Sequence, residues 1–253
     1  MHAARIAVCG ALILLAAAPP PGGDAVAGQV GPGFSAPLAI VNPLRPFHAG
    51  GVKLYRGREG GHRYTVLEQH LVETRSFSWN GGTVACRILR EVKLEFGAAT
   101  EISRTFLAQG DDGAVYSFGE VPEPLPALPG EPDDDPGDLE SNGWVVGAVQ
   151  PGDPPLTTGG ASPTVFMPAD PGPGDTWKPE DLLPVADETD RVVETGVPVE
   201  VRAGLFPDCL GVKESTLLEP VVETKWYAPG VGVVLQRSRL GVLRLEATTL
   251  LRR

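Results

Sequence analysis

The chain carries one arrangement of residues twice, and no other feature limits its fold so strongly. The first copy runs from Gly82 through Cys86 to Glu91, then from Glu101 through Phe106 to Ala108, then from Gly110 to Val115. The second runs from Gly204 through Cys209 to Glu214, then from Glu223 through Trp226 and Tyr227 to Ala228, then from Pro229 to Val234. Each copy reads as three strands joined by turns, with an aromatic residue and an alanine ahead of a glycine-containing turn. Turn-punctuated runs of this kind form antiparallel meanders.

The alternation within the copies supports the same fold. Val84, Cys86, Ile88, Val92, Leu94 and Phe96 share one parity, and Arg87, Glu91, Lys93 and Glu95 share the other. A period of two with one apolar face describes a strand half-buried against a core, and Leu89 and Arg90 break the parity as a bulge would. Asn80, Gly81 and Gly82 form a turn, because Asn and Gly tolerate positive φ. Val52 to Arg56 and His62 to Val72 read as a hairpin around the glycines at 57, 60 and 61. Regularity returns at Asp190 to Val201 and again from Val242 to Leu250. The expectation is an all-β fold: a curved antiparallel sheet or half-barrel meander with two related three-strand units and a long Pro/Gly-rich loop insert.

That insert spans residues 122–179 and holds fourteen of the 26 prolines. Proline cannot donate to a sheet ladder, so short strands are expected only at Gly143 to Val149 and Pro163 to Met167, with the remainder acting as a lid. Residues 1–27 have the parts of an export signal: Arg5, an apolar stretch from Ile6 to Ala18, and Ala25-Val26-Ala27 as the cleavage site. The stretch is too short to span a bilayer as a helix, which takes about 20 residues. Residues 28–41 read as a flexible leader and residues 42–253 as a single β domain. Export places the protein in the periplasm or outside the cell, with a partner in the envelope or the extracellular space. A net charge of −11 argues against nucleic acid as that partner.

Several of these residues occur in an order that resembles a known family. Asn42-Pro43 with Pro46, Ala108-Gln109 before Asp112-Gly113, Phe118-Gly119-Glu120, Met167-Pro168-Ala169, Gly174-Asp175-Thr176 and the stretch from Tyr227 to Val234 follow one another through residues 42 to 245. The series resembles a family of uncharacterised exported bacterial β-proteins, secreted or lipoprotein-like, with a C-terminal Tyr-Ala-Pro-Gly-Val-Gly-x-Val motif. The resemblance implies export and a curved antiparallel sheet similar to the half-barrels of periplasmic lipoprotein carriers. It implies no reaction. The chain departs from the pattern at Gly110, where an acidic residue is expected.

The chemistry-bearing residues favour binding over catalysis. Asp133, Asp134, Asp135 and Asp138 form the densest group of hard oxygen ligands and could hold part of a calcium shell, although EF-hand spacing is absent. Cys86 and Cys209 occupy matched positions in the two copies, and export permits a disulfide between them; two buried thiols are the alternative. His62 and His70 read as surface or strand-edge residues, being too far apart on an extended strand to share a metal. Glu101 and Glu223, equivalent across the copies, read as solvent-facing. No hydrolase motif is present, so no catalytic residue and no cofactor is expected. Trp144, Phe166, Met167 and Trp177 of the insert, with Trp226 and Tyr227 of the second copy, could enclose an apolar pocket. Three readings follow: a non-enzymatic binding or structural module, a carrier of a small hydrophobic ligand, or an enzyme with an unfamiliar site in the insert.

Overall fold

The computed structural model describes residues 31–125, 143–218, 220 and 222–251. Its strands are β1 (Val52–Glu59), β2 (His62–Trp79), β3 (Gly82–Glu95), β4 (Ala98–Gln109), β5 (Val115–Pro122), β6 (Trp144–Val146), β7 (Thr158–Ala161), β8 (Thr164–Met167), β9 (Thr176–Leu182), β10 (Ala186–Val201), β11 (Gly204–Ser215), β12 (Val222–Ala228), β13 (Gly232–Ser238) and β14 (Gly241–Thr248). They form one sheet in the order β7-β6-β5-β4-β3-β2-β1-β14-β13-β12-β11-β10-β9, with β8 pairing on β5. Every ladder is antiparallel except β6 with β7. The all-β expectation holds, and the sheet curls into a nearly closed barrel.

The repeat is larger than the two three-strand units read from the sequence. Strands β1 to β6 follow one another across the sheet, and so do β9 to β14. Moved six places along the sheet, the first series matches the second in strand order, so β3, β4 and β5 correspond to β11, β12 and β13. The extra residues Val52 to Trp79 and Thr176 to Val201 escaped notice because they match in placement and not in sequence. Between the two series, β8 lies along β5 and reaches β9, where Thr164 Oγ1 donates to the carbonyl of Pro179.

Local backbone chemistry sets the turns. Asn80 and Gly81 have φ of 49° and 75°, as a two-residue hairpin demands. Phe96 and Gly97 repeat this geometry between β3 and β4, at 52° and 87°. Phe96 therefore leaves the buried parity assigned to it; it is 86% exposed, with its ring edge-on to His62. On β5, Phe118 and Gly119 together oppose the single residue Phe106, which makes a bulge. Gly119 has φ of 138°, and a Cβ there would stand 2.4 Å from the Trp144 carbonyl. Only glycine lets β6 approach this closely. The bulge also switches parity, so Ser117 and Glu120 both face the interior of the barrel.

The sheet is covered on both faces. Tyr55, Val66, Leu89, Leu107, Val115, Val212, Tyr227 and Leu245 pack in one cluster inside the barrel. On the other face, Phe77, Val84, Cys86, Ile88, Phe106, Tyr116 and Phe118 pack in a second cluster with Trp144 to Val146. Phe34 and Ser35, expected as part of a flexible leader, are docked here, while Ile40 joins the inner cluster. Phe34 sets its ring edge-on to Tyr116 and Phe118 at 5.4 and 5.2 Å, and the Ser35 backbone and hydroxyl donate to Asp111. Partial burial of the Phe34 ring against this cluster offsets the entropy of ordering a short segment.

The insert is clasped to the same outer face. Arg75 donates from both terminal nitrogens to Asp153, at 2.6 and 2.8 Å, and its guanidinium lies over the rings of Phe77 and Phe106. Asp153 also receives the Gln150 backbone N–H. Replacing Asp153 with Ala strands a guanidinium that is mostly shielded from water. The expected loss is about 2 kcal/mol of unfolding free energy by urea titration; a loss under about 0.5 kcal/mol would show that the clasp does not hold the insert.

Candidate functional site

The interior of the barrel is polar at its centre. Lys53 and Glu68 pair across β1 and β2 with Nζ to Oε1 at 2.6 Å, and they are only 1% and 3% exposed. His70 donates from Nε2 to the same oxygen at 3.1 Å, while its Nδ1 accepts the His48 backbone N–H. That acceptance fixes the tautomer with the proton on Nε2. Arg45 reaches Glu68 Oε2 at 3.7 Å, and Phe47 stacks on the His70 ring. Burial alone would raise the Glu68 carboxyl, but Lys53, His70 and Arg45 together hold it far below the usual range. Burial pushes Lys53 and His70 down, against the pull of Glu68. The surface assignment of His70 is thus corrected: it lies on the same parity as Tyr64, Val66 and Glu68, the buried face of β2.

Beyond this knot the interior turns acidic. Six carboxylates line a central cavity, those of Glu68, Glu91, Glu120, Glu180, Glu188 and Asp190, against two cations, Arg45 and Lys225. In the ladders, Asp190 faces Glu214, Glu214 faces Glu223, and Glu188 faces Glu180. Like charges directly opposite one another destabilise a sheet. Burial, then the neighbouring Glu68, lifts Glu91 to about 7. Burial and Glu120 lift Glu180 to about 7, and burial and Glu214 lift Asp190 to about 7. Burial also raises Glu120, although Thr105 donates to it, and raises Glu223, which receives Gln236. The solvent-facing reading of Glu223 is corrected accordingly. Lys225 forms an ion pair with Glu214.

The cavity is about 80 Å³, well below the 300–1,000 Å³ of sites for drug-sized ligands. Of the aromatics expected to enclose an apolar pocket, Phe166 and Tyr227 reach it. Trp144 and Met167 are buried in the two cores, and so is Trp177. Trp144 nevertheless touches the acidic side, its indole N–H donating to Glu180 at 3.1 Å. Trp226 points the other way, donating to Glu194 under the Arg237 guanidinium. The expected pocket is thus divided: its apolar members build walls, and carboxylates take the centre.

The matched cysteines are free thiols. Cys86 belongs to the outer core and Cys209 to the inner one, six strands apart around the sheet, so no bridge joins them. Asp133, Asp134, Asp135 and Asp138 lie outside the described residues. Within them, Glu188, Asp190 and Glu214 each offer an oxygen, and these oxygens lie within 4.8 Å of one another.

The central residues escaped the sequence reading because strand alternation separates two faces without saying which is wet. Lys53 and Tyr55 point inward, while Val52 and Leu54 are half-exposed, reversing the usual reading of apolar as inside. A signal did exist in β2, where Glu68 and His70 extend the stripe begun by Tyr64 and Val66.

No protein-family model matches the chain, and no curated protein matches it. Two solved structures are similar. One is a Bacteroides fragilis protein with a YmcC-like fold, assigned as exported; it has 13% identity and a TM-score of 0.40, with 81% of this chain and 98% of that chain covered. The other is a Parabacteroides distasonis protein assigned as a lipoprotein, with 12% identity, a TM-score of 0.39, and 84% and 99% covered.

Proposed function

We propose that the protein is an exported, non-enzymatic binding module that takes a small cation into the polar centre of its barrel. The carrying observation is the lining itself, six carboxylates around about 80 Å³ against Arg45 and Lys225, with Lys53 behind Glu68 as the third cation. Burying that excess of negative charge is costly unless protons or a cation balance it. The size suits an ion or an ammonium-sized group and leaves no room for an acyl chain, so a hydrophobic cargo has less support. Export rests on Arg5, the apolar stretch from Ile6 to Ala18 and the small residues before Gly28.

Thermal melting of the purified protein at fixed ionic strength, at pH 8, tests the reading. Calcium, magnesium, ammonium and methylammonium are compared with a medium-chain fatty acid. Stabilisation by at least one of the cations, and none by the fatty acid, is the expected result. Stabilisation by the fatty acid alone would overturn it in favour of a hydrophobic carrier. An intact mass beginning at Gly28 in protein recovered from its own host is the matching result for export, and an unprocessed mass would oppose it.

A further inference from the structure

We infer that Glu188 and Asp190 of β10 and Glu214 of β11 form a hard divalent-cation site, with calcium as the best-fitting ion. The inference rests on the cation-binding reading and makes it specific. Two observations carry it. The first is geometric: the three side chains each bring an oxygen within 4.8 Å of the others. Calcium binds oxygen at about 2.3–2.6 Å, so two of its ligands stand at most about 5 Å apart. Asp190 and Glu214 meet directly across the ladder, and Glu188 lies two residues from Asp190 on the same side of β10. The backbone therefore places the three residues on one patch, and their side chains bring the oxygens together there.

The second observation concerns Asp190 alone. It is 3% exposed, lines the cavity, and its Oδ1 accepts no hydrogen bond among the described residues. A buried carboxylate oxygen left in this state is costly, and a metal ion answers the cost directly. Charge agrees. Three carboxylates with Lys225 on Glu214 leave two negative charges, which one divalent ion cancels. An all-oxygen set with no thiolate or imidazole selects calcium, magnesium or manganese over zinc and copper. Calcium accepts six to eight ligands in loose geometry, and water in the adjoining cavity can complete its shell.

The test is metal content after chelation, dialysis against calcium and gel filtration, read together with thermal melting. One calcium per chain is expected, with a rise in melting temperature of roughly 5–10 °C at a hundredfold excess over the dissociation constant. D190N and E214Q should each lose the ion and the shift, while E194Q, at an exposed position of the same strand β10 turned to Trp226, should keep both. Replacing Asp133, Asp134, Asp135 and Asp138 by Asn together should also keep both. Loss of the ion in that quadruple variant and not in D190N would overturn the assignment. So would the absence of bound calcium, magnesium and manganese from the native protein, whatever the variants do. Stabilisation by methylammonium without any divalent ion would overturn the metal site and leave the cation-binding reading standing. No stabilisation by any cation overturns both.

Discussion

Replacing Glu68 with Ala should destabilise the protein more than any other single change at the centre of the barrel, by about 3–5 kcal/mol. The carboxylate is the common anion for Lys53, His70 and Arg45, and Lys53 is only 1% exposed. Without Glu68 the ammonium loses its nearest counter-charge, and the desolvation it has already undergone is no longer offset. The Tyr55 hydroxyl keeps its bond to the Val233 carbonyl at 3.0 Å, so the β1–β13 contact should survive. Urea unfolding of E68M, K53M and the double variant K53M/E68M, alongside E68A, reads the coupling. A buried pair exchanged for apolar groups of similar volume is often neutral, so the double variant should recover a large part of the loss. Additive costs would show that the two residues do not depend on each other.

The second large effect is on pH. Glu91 is lifted to about 7 by burial and Glu68, from an ordinary value of 4.5. Between these values the folded chain holds a proton that the unfolded chain releases, so raising the pH lowers stability across that window. A shift of this size corresponds to about 3 kcal/mol. Facing Glu91 are Glu68 of β2, Arg45, Glu120 of β5 and Lys225 of β12, with Ser103 as its partner in β4. His70 acts in the opposite sense, since burial lowers it and stability is lost as the pH falls through its unfolded value near 6.5. Comparison with E91Q cancels that contribution, because glutamine resembles the protonated acid. The variant and the parent should be similar in stability near pH 5, with E91Q about 3 kcal/mol more stable at pH 8 in the absence of divalent ions. Parallel stability curves would show that Glu91 remains ionised throughout.

How much of this was legible in the sequence depends on which physical signal each part left. Hairpins announced themselves wherever backbone strain selected the residue: Asn80-Gly81 could be read, and Phe96-Gly97 could not, because phenylalanine is an unusual choice at positive φ. The curved sheet followed from period-two strands and turns. Closure did not, since it depends on β8 bridging β5 and β9 through four residues inside a proline-rich stretch. The polar centre was the hardest to foresee. Glu91 and Lys93 look like ordinary water-facing residues of an amphipathic strand, and only barrel closure turns their face inward. Glu68 and His70 were readable in principle, because they sit where the stripe from Tyr64 calls for apolar side chains.

The sixfold shift that relates β1–β6 to β9–β14 bears on how such a molecule can acquire a specialised interior. Hydrogen-bonded ladders are formed by the main chain and are indifferent to what the side chains carry. On β1 and β2 the inward positions hold Lys53, Glu68 and His70, a neutralised set. On the corresponding β9 and β10 they hold Glu180, Glu188 and Asp190, all acidic. In these matched strands the first pair holds a balanced set and the second pair holds unbalanced charge, and both use the same architectural plan. Symmetry in the frame has therefore left the two halves free to divide labour, and the chemistry resides in the difference between them.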